Sequence, residues 1–472
     1  MEQSRGRNEK DNFTFTDRYS VKRSYEKAGA KKDDTVKNDE RDKMKKSSAI
    51  GEPDSGIRGF IKRWANPGTP DVMFIFIVLG LLAIGLVMMF SASYTYAYYD
   101  SKTGHDALYY IKRQGIFAAV GVVLMFIISK INYKRLNGGL AIIGYAGTFL
   151  LLAFTLIINI RKDNDFKRWI RIGPLSFQPS EIAKFALVLM IAYVTARQYG
   201  VIESKGRMRE GFLSDFDMKR MSKVRAAFYK NASTKSFALT CIYALLIIIM
   251  CGMIMLERHL SCTILVFLIG VSMMWLSGVK KGYFVILALV IALAVAIVIM
   301  HPDILPKYAA ERIIAWKDKA YDPLGSRWQT NQSLRAIASG GPFGLGLGNS
   351  RQKHMYVSEP QNDFIFAIVC EELGFVGAGA IICLFGALVW RAFRIAEKSS
   401  DVFGSMLAMG IALQVGLQVF LNIAVVTDMF PNTGISLPFF SYGGTSLTML
   451  LCEMGVILSI SKQNSLEKQK RE

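Results

Sequence analysis

Apolar residues along this chain run in blocks long enough to cross a bilayer, which takes about 20 helical residues each. Ten such blocks can be read, at about 72–93, 109–130, 138–158, 179–197, 236–256, 261–278, 283–301, 366–392, 402–424 and 441–461. Backbone groups in lipid must find their hydrogen bonds within the chain, so runs of this kind imply an all-α polytopic membrane protein. The fifth and sixth blocks are parted only by Glu257, Arg258, His259, Leu260 and Ser261. The longest polar insertion, 302–365, falls between blocks seven and eight and reads as a non-helical loop, a kind of insertion that is usually functional.

The polar remainder completes the domain plan: a tail over 1–70, a ten-span body over 71–461 interrupted by a basic loop at 198–235, and a short C-terminal tail over 462–472. The N-terminal tail mixes 17 basic with 12 acidic residues and has no periodicity, so it reads as disordered, with Lys43, Lys45 and Lys46 free to lie against anionic lipid. It has no early apolar core, and no cleaved signal peptide is expected. With the N-terminus in the cytoplasm, 39 of the 57 Lys and Arg residues fall on the inner side, which the positive-inside rule favours and which puts both termini inside. Topology therefore explains most of the net charge of +20, and no nucleic-acid partner is inferred. One short outer segment breaks the pattern. Residues 159–178 carry Arg161, Lys162, Lys167, Arg168 and Arg171 against Asp163 and Asp165, as a site for an anionic ligand or for lipid headgroups would. The six cysteines lie in or beside apolar runs at no metal-ligand spacing and read as reduced packing residues.

Charges inside the apolar blocks carry the chemistry. Glu181 and Lys184 open the fourth block at i,i+3 spacing, which places them on one helix face where they can pair. A charge near mid-membrane costs about 3 kcal/mol on insertion scales, so it is seldom kept without a use. Asp363 stands where the long loop meets the eighth block, sheltered yet reachable from outside, a suitable place for a general base. Glu371 and Glu372 follow about two turns deeper. The run Gly340, Gly341, Gly344, Gly346 and Gly348 follows no strand, so a nucleotide loop is disfavoured; a tight turn that can approach a ligand closely fits better.

Three segments carry a resemblance: RWIRIG followed by QPSEIAK over 168–184; QSLRAIASGG through QK, NDFIFA and EELG over 332–374; and PNTGISLPFFSYGGTS over 431–446. In that order, with ten spans, the chain resembles the SEDS family, the FtsW/RodA/SpoVE group of shape, elongation, division and sporulation proteins. The resemblance implies a peptidoglycan glycosyltransferase that polymerises lipid II outside the bacterial cytoplasmic membrane. Its implied partners are the growing lipid-linked strand, a class B penicillin-binding transpeptidase and other division or elongation membrane proteins. It also implies that Asp363 matches the family's essential loop aspartate, and that Arg168, Trp169, Glu181 and Lys184 match further functional positions. Arg171, Lys353, Glu371, Glu372, Ser441 and Tyr442 join these as candidates for substrate contact. The chain departs from the pattern at Arg258-His259-Leu260-Ser261, where the family often has Pro-Asp-Leu-Gly. It departs again at Ser358-Glu359-Pro360-Gln361, where a histidine usually precedes the aspartate. The motif from Thr433 to Pro438 leans toward the division and sporulation branch.

The chemistry so implied needs a base on the attacking 4-hydroxyl and cations at the departing pyrophosphate. Asp363 can be the base. Arg168 and Arg171 can meet the phosphates, since guanidinium forks match their oxygens. Trp169 offers a face to a sugar ring or to the membrane interface. A single base without a carboxylate nucleophile implies inversion at the anomeric carbon. No cofactor is required, with a divalent cation at the pyrophosphate left open. A lipid-precursor flippase would also need charges inside a helix bundle, and a non-enzymatic division scaffold would explain the tail; turnover of lipid II separates both from a polymerase.

Overall fold

The computed structural model describes residues 68–160, 168–172, 175–204, 233–305 and 307–469. Nearly all of the tail 1–70, most of the basic loop 198–235, and Arg161, Lys162 and Lys167 lie outside them. The described residues form twelve α-helices: α1 (Val72–Tyr99), α2 (Tyr109–Lys130), α3 (Gly139–Ile160), α4 (Pro179–Ser204), α5 (Ser233–Leu256), α6 (Leu260–Leu276), α7 (Lys281–Met300), α8 (Lys307–Lys317), α9 (Trp328–Gly340), α10 (Ile365–Glu397), α11 (Val402–Val426) and α12 (Gly444–Gln469).

All ten expected spans are helices, and nine are long and apolar enough to cross a membrane. The tenth, α6, has 17 residues and at 1.5 Å per residue falls a little short of the hydrocarbon thickness. The narrow boundary between α5 and α6 is a real turn, made by Glu257, Arg258 and His259 with Arg258 in the left-handed region (φ 55°). Helix ends are fixed by side chains as well as by the membrane. Asp71 caps α1 through Phe74 N at 3.0 Å and also receives Arg391 of α10 at 2.8 Å, while Asp401 caps α11 through Gly404 N at 3.0 Å. α11 is the central helix, buried along most of its length, whereas α7 has no buried residue and presents its apolar surface outward. α2 and α12 pack closely because Gly455 lets the Met125 backbone approach; a Cβ there would come within 2.6 Å of the Met125 carbonyl.

Four features depart from expectation. Residues 170–172 and 175–177 form a small antiparallel hairpin pair, β1 (Ile170–Ile172) with β2 (Leu175–Phe177), pairing Ile170 with Phe177 and Ile172 with Leu175. The 302–365 insertion is not a non-helical loop, because it contains α8 and α9. α9 is amphipathic and packs Ser333, Ala336 and Ile337 inward, so it is stabilised by burial that only the folded bundle provides. The C-terminal tail continues α12 to Gln469 instead of beginning at 462.

The fourth departure is a break in α10. Gly374 has φ 68° and ψ −172°, outside any helical region and open to glycine alone among ordinary residues, so the helix divides there. The freed backbone groups are taken up by the glycine run. Leu345 N and Gly346 N donate to the Glu371 and Glu372 carbonyls at 2.9 and 3.0 Å, and Phe375 N and Val376 N donate to Gly341 O and Pro342 O at 2.9 and 3.0 Å. The close approach that these glycines permit is therefore to α10, not to a ligand.

Candidate active site

Helix ends alternate along the bundle, and one end gathers Asp363, the β1–β2 hairpin, the α5–α6 turn, α8, α9 and the 427–443 segment. Asp363 precedes α10 and is half-buried. Its backbone is held by Asn422 of α11, whose Nδ2 donates to Asp363 O at 2.8 Å and to Ile435 O at 2.6 Å. The 434–443 segment closes over the same stretch. Ser441 Oγ donates to Asn362 O at 2.8 Å and accepts from Leu437 N at 2.7 Å, and Tyr442 N donates to Gln361 O at 2.8 Å. Gln114 of α2 pins this segment in turn, with Nε2 on Ser441 O and Oε1 on Gly443 N, both at 3.2 Å. Gly434, in the left-handed region at φ 74°, lies against the carboxylate; a Cβ there would be 3.0 Å from Asp363 Oδ2.

Burial pushes the Asp363 carboxyl up to about 6, helped by the Glu359 carboxylate and opposed by the guanidiniums of Arg312 and Arg168. The group is thus ionised at neutral pH yet more basic than an ordinary aspartate, which suits proton abstraction. Arg168 is anchored beside it by a hydrogen bond from Nη2 to Arg258 O at 2.7 Å. The hairpin sets this position, because its first strand begins two residues after Arg168. Trp169 is exposed at the same end. Arg171 lies in β1, but its side chain is outside the described residues.

Beneath Asp363 runs a buried polar file. Glu181 and Lys184 pair at 2.9 Å. Glu181 accepts from Ser446 Oγ at 2.9 Å, and Lys184 donates to Gln418 Oε1 at 2.9 Å. Gln418 Nε2 then donates to Ser436 O at 3.0 Å, so the ion pair is tied to the segment that flanks Asp363. One turn further from Asp363, Gln414 Nε2 reaches both oxygens of Glu453 at 2.9 and 2.7 Å. Both charges of the pair are thus bonded within the fold, as a brace is. His259 stands 3.2 Å from Gln178 Nε2; burial, with Arg168 adding to it, pushes its imidazole down to about 3 and keeps it neutral.

Lys353, Glu371 and Glu372 form a separate cluster that anchors a loop. Lys353 Nζ meets Glu372 Oε1 at 3.0 Å, Gly348 O at 2.6 Å and Ser91 Oγ of α1 at 3.2 Å. Glu371 accepts from Ser350 Oγ, from Arg351 N at 3.0 Å and from Ser339 Oγ at 3.2 Å. These carboxylates are fully buried, and their oxygens hold the 348–353 turn to the first part of α10. The Ser441 hydroxyl likewise both donates and accepts within the fold. Tyr442 is half-buried with its ring 4.8 Å from that of Tyr110, edge to face.

Sequence reasoning missed Asn422, Gln418, Gln414 and Glu453, although the three amides recur at i, i+4 and i+8 in an apolar block and so share one face. Arg312 carried no such signal, because the helix bearing it was read as loop. Among the described residues no three His, Cys, Asp or Glu side chains converge as metal ligands; the cations whose charge acts on Asp363 are arginines.

Comparison with known proteins identifies the family. Residues 71–466 match the FtsW/RodA/SpoVE cell cycle protein family. The chain is 37% identical to stage V sporulation protein E of Bacillus subtilis over 399 residues, covering 84% of this chain and 97% of that protein. It is 32% identical to "Probable peptidoglycan glycosyltransferase FtsW" of Geobacter sp. (strain M18) over 392 residues, covering 83% and 96%. A chain from a solved structure of a peptidoglycan synthase complex that coordinates polymerization and crosslinking aligns with a TM-score of 0.63 and 27% identity over 84% of this chain and 98% of that one. The rod shape determining protein RodA of Thermus thermophilus shares the fold at a TM-score of 0.56, covering 84% and 98% with 24% identity. By the match across its whole helical body, the chain belongs to the FtsW/RodA/SpoVE family of cell cycle proteins.

Proposed function

We propose that this chain is a peptidoglycan glycosyltransferase that polymerises lipid II in division, shape determination or sporulation. In this reading the Asp363 end faces the outside of the bacterial cytoplasmic membrane, and both termini are cytoplasmic. The observation that carries it is Asp363 itself: a half-buried carboxylate raised to about 6, with its backbone clamped by Asn422 and two guanidiniums facing it.

Asp363 takes the proton from the 4-hydroxyl of one lipid-linked disaccharide as that oxygen attacks the anomeric carbon of another. The new C–O bond forms as the bond to phosphate breaks, and the electron pair leaves with the polyprenyl pyrophosphate. Arg168 and Arg312 stabilise the charge that develops on that leaving group. Attack opposite the leaving group inverts the anomeric carbon. Polymerisation and crosslinking are named together for the related synthase complex, which supports a class B transpeptidase as partner.

Asp363→Asn preserves size and hydrogen bonding but removes basicity. Purified protein carrying it is expected to insert normally and lose lipid II polymerisation by at least ~100-fold, in the range for loss of a general base. Near-normal synthesis by this variant, with no other polymerase present, would remove Asp363 as the base.

A further inference from the structure

A cavity of about 460 Å³ opens at the Asp363 end, lined by Tyr96 of α1, Gln329 of α9, and Met355, Val357, Ser358 and Glu359. Its volume falls within the ~300–1,000 Å³ of small-molecule sites. The wall is fixed from behind. Trp328 Nε1 donates to Tyr356 O at 2.8 Å, Gln329 Nε2 donates to Ser358 O at 2.9 Å, and Val357 N donates to Gln352 O at 3.0 Å. Met355 and Glu359 are held in the left-handed region, at φ 68° and 50°, a cost that persists only where surrounding structure enforces it and that concentrates at functional sites.

The cavity is linked to the base through Glu359. Glu359 lines it, accepts from Asn362 Nδ2 at 2.8 Å, and raises the neighbouring Asp363 carboxyl. Its lining differs from the arginine side of the site, because its one charge is negative. A pyrophosphate would be repelled there, and a polyprenyl chain would set hydrocarbon against the Glu359 carboxylate. A sugar meets both requirements: its hydroxyls donate to a carboxylate, and its C–H face lies on a tyrosine ring. That ring belongs to an aromatic series, with Tyr96 at 6.2 Å from Tyr110 and Tyr110 at 4.8 Å from Tyr442.

We propose that this cavity is the subsite for the sugar that presents the attacked hydroxyl, recognised by Tyr96 and Glu359, while the arginine side receives the pyrophosphate of the other substrate. The assignment rests on the glycosyl-transfer reading above and divides that site into two halves of opposite electrostatic character.

The test uses the full chain in nanodiscs and two probes. One is the methyl glycoside of an N-acetylhexosamine disaccharide, which has a free 4-hydroxyl but neither pyrophosphate nor lipid; the other is polyprenyl pyrophosphate. Binding of the disaccharide should weaken at least about fivefold in Tyr96→Ala and in Glu359→Gln, the loss of one aromatic face or one charge-assisted hydrogen bond. Tyr96→Phe, which keeps the ring, should stay within about twofold of wild type and guards against a folding artefact. Pyrophosphate binding should be unchanged in all three variants. The proposal is overturned if the wild type does not bind the disaccharide, if binding is indifferent to Tyr96→Ala and Glu359→Gln, or if pyrophosphate binding falls in parallel. Failure of the wild type to turn over lipid II would instead count against the enzymatic reading, and Tyr96-dependent sugar binding would survive it.

Discussion

Removing Lys184 alone from the Glu181–Lys184 pair should cost more than removing both members. The pair is 2.9 Å long, with side chains only 13% and 4% exposed, so each charge depends on the other for compensation. Breaking a buried pair from one side typically costs ~3–5 kcal/mol, because the remaining charge is stranded in a medium that solvates it poorly. The surroundings make the two single changes unequal. Lys184→Met strands Glu181 and leaves Gln418 Oε1 without its donor. The lost hydrogen bond alone adds ~1–3 kcal/mol. Glu181→Gln is milder, since its amide can still accept from Ser446 and Lys184 keeps its hydrogen bond to Gln418 Oε1. The expected order of stability is wild type, Glu181→Gln, the double variant, then Lys184→Met, with a coupling energy of ~2–3 kcal/mol in the cycle. Reversible SDS titration of the protein in mixed micelles, followed by helical content, measures all four corners. Purely additive losses would mean that the pair is not energetically coupled and that the geometric account of the polar file is wrong.

Three further outcomes follow from the same geometry. Polymerisation should fall about tenfold per pH unit below pH ~6, because protonation of Asp363 removes the base; the same upward shift means the folded state binds the proton more tightly than the unfolded one, so this group's contribution to stability declines as pH rises from about 4 to about 6. A flat rate profile between pH 5 and 7 would exclude Asp363 as the titrating group, given its value of about 6. Gly434→Ala places a methyl 3.0 Å from Asp363 Oδ2 at a φ of 74°, and should cut turnover at least ~10-fold while costing only ~1–2 kcal/mol of stability; wild-type turnover would show that the carboxylate need not sit where it does. Lys353→Met should leave the Glu372 carboxylate buried without its cation and expose the 340–353 turn to limited proteolysis, with cleavage no faster than wild type counting against the anchor role.

The ten spans were legible because lipid imposes local rules: a helix must be apolar, about 20 residues long and self-satisfied in its backbone, and each rule can be read from consecutive residues. The Glu181–Lys184 contact was legible for the same reason, since i,i+3 spacing on a helix fixes proximity without tertiary information. Asp363 could be singled out by its place at a span border, but its environment could not. Asn422 lies 59 residues away from it, and Arg168, at the start of a hairpin, is held by the α5–α6 turn 90 residues on. α9 was read as loop because its helicity depends on burying one face against α10, a partner visible only in the fold. Lys353, Glu371 and Glu372 have the residue types of a binding site, yet tertiary packing directs their polar atoms into the backbone and side chains of a turn. Sequence determined which segments enter the membrane and which charges are too costly there to be incidental. The tertiary structure decided whether each charge braces the fold or faces a substrate, because that depends on which distant groups satisfy it.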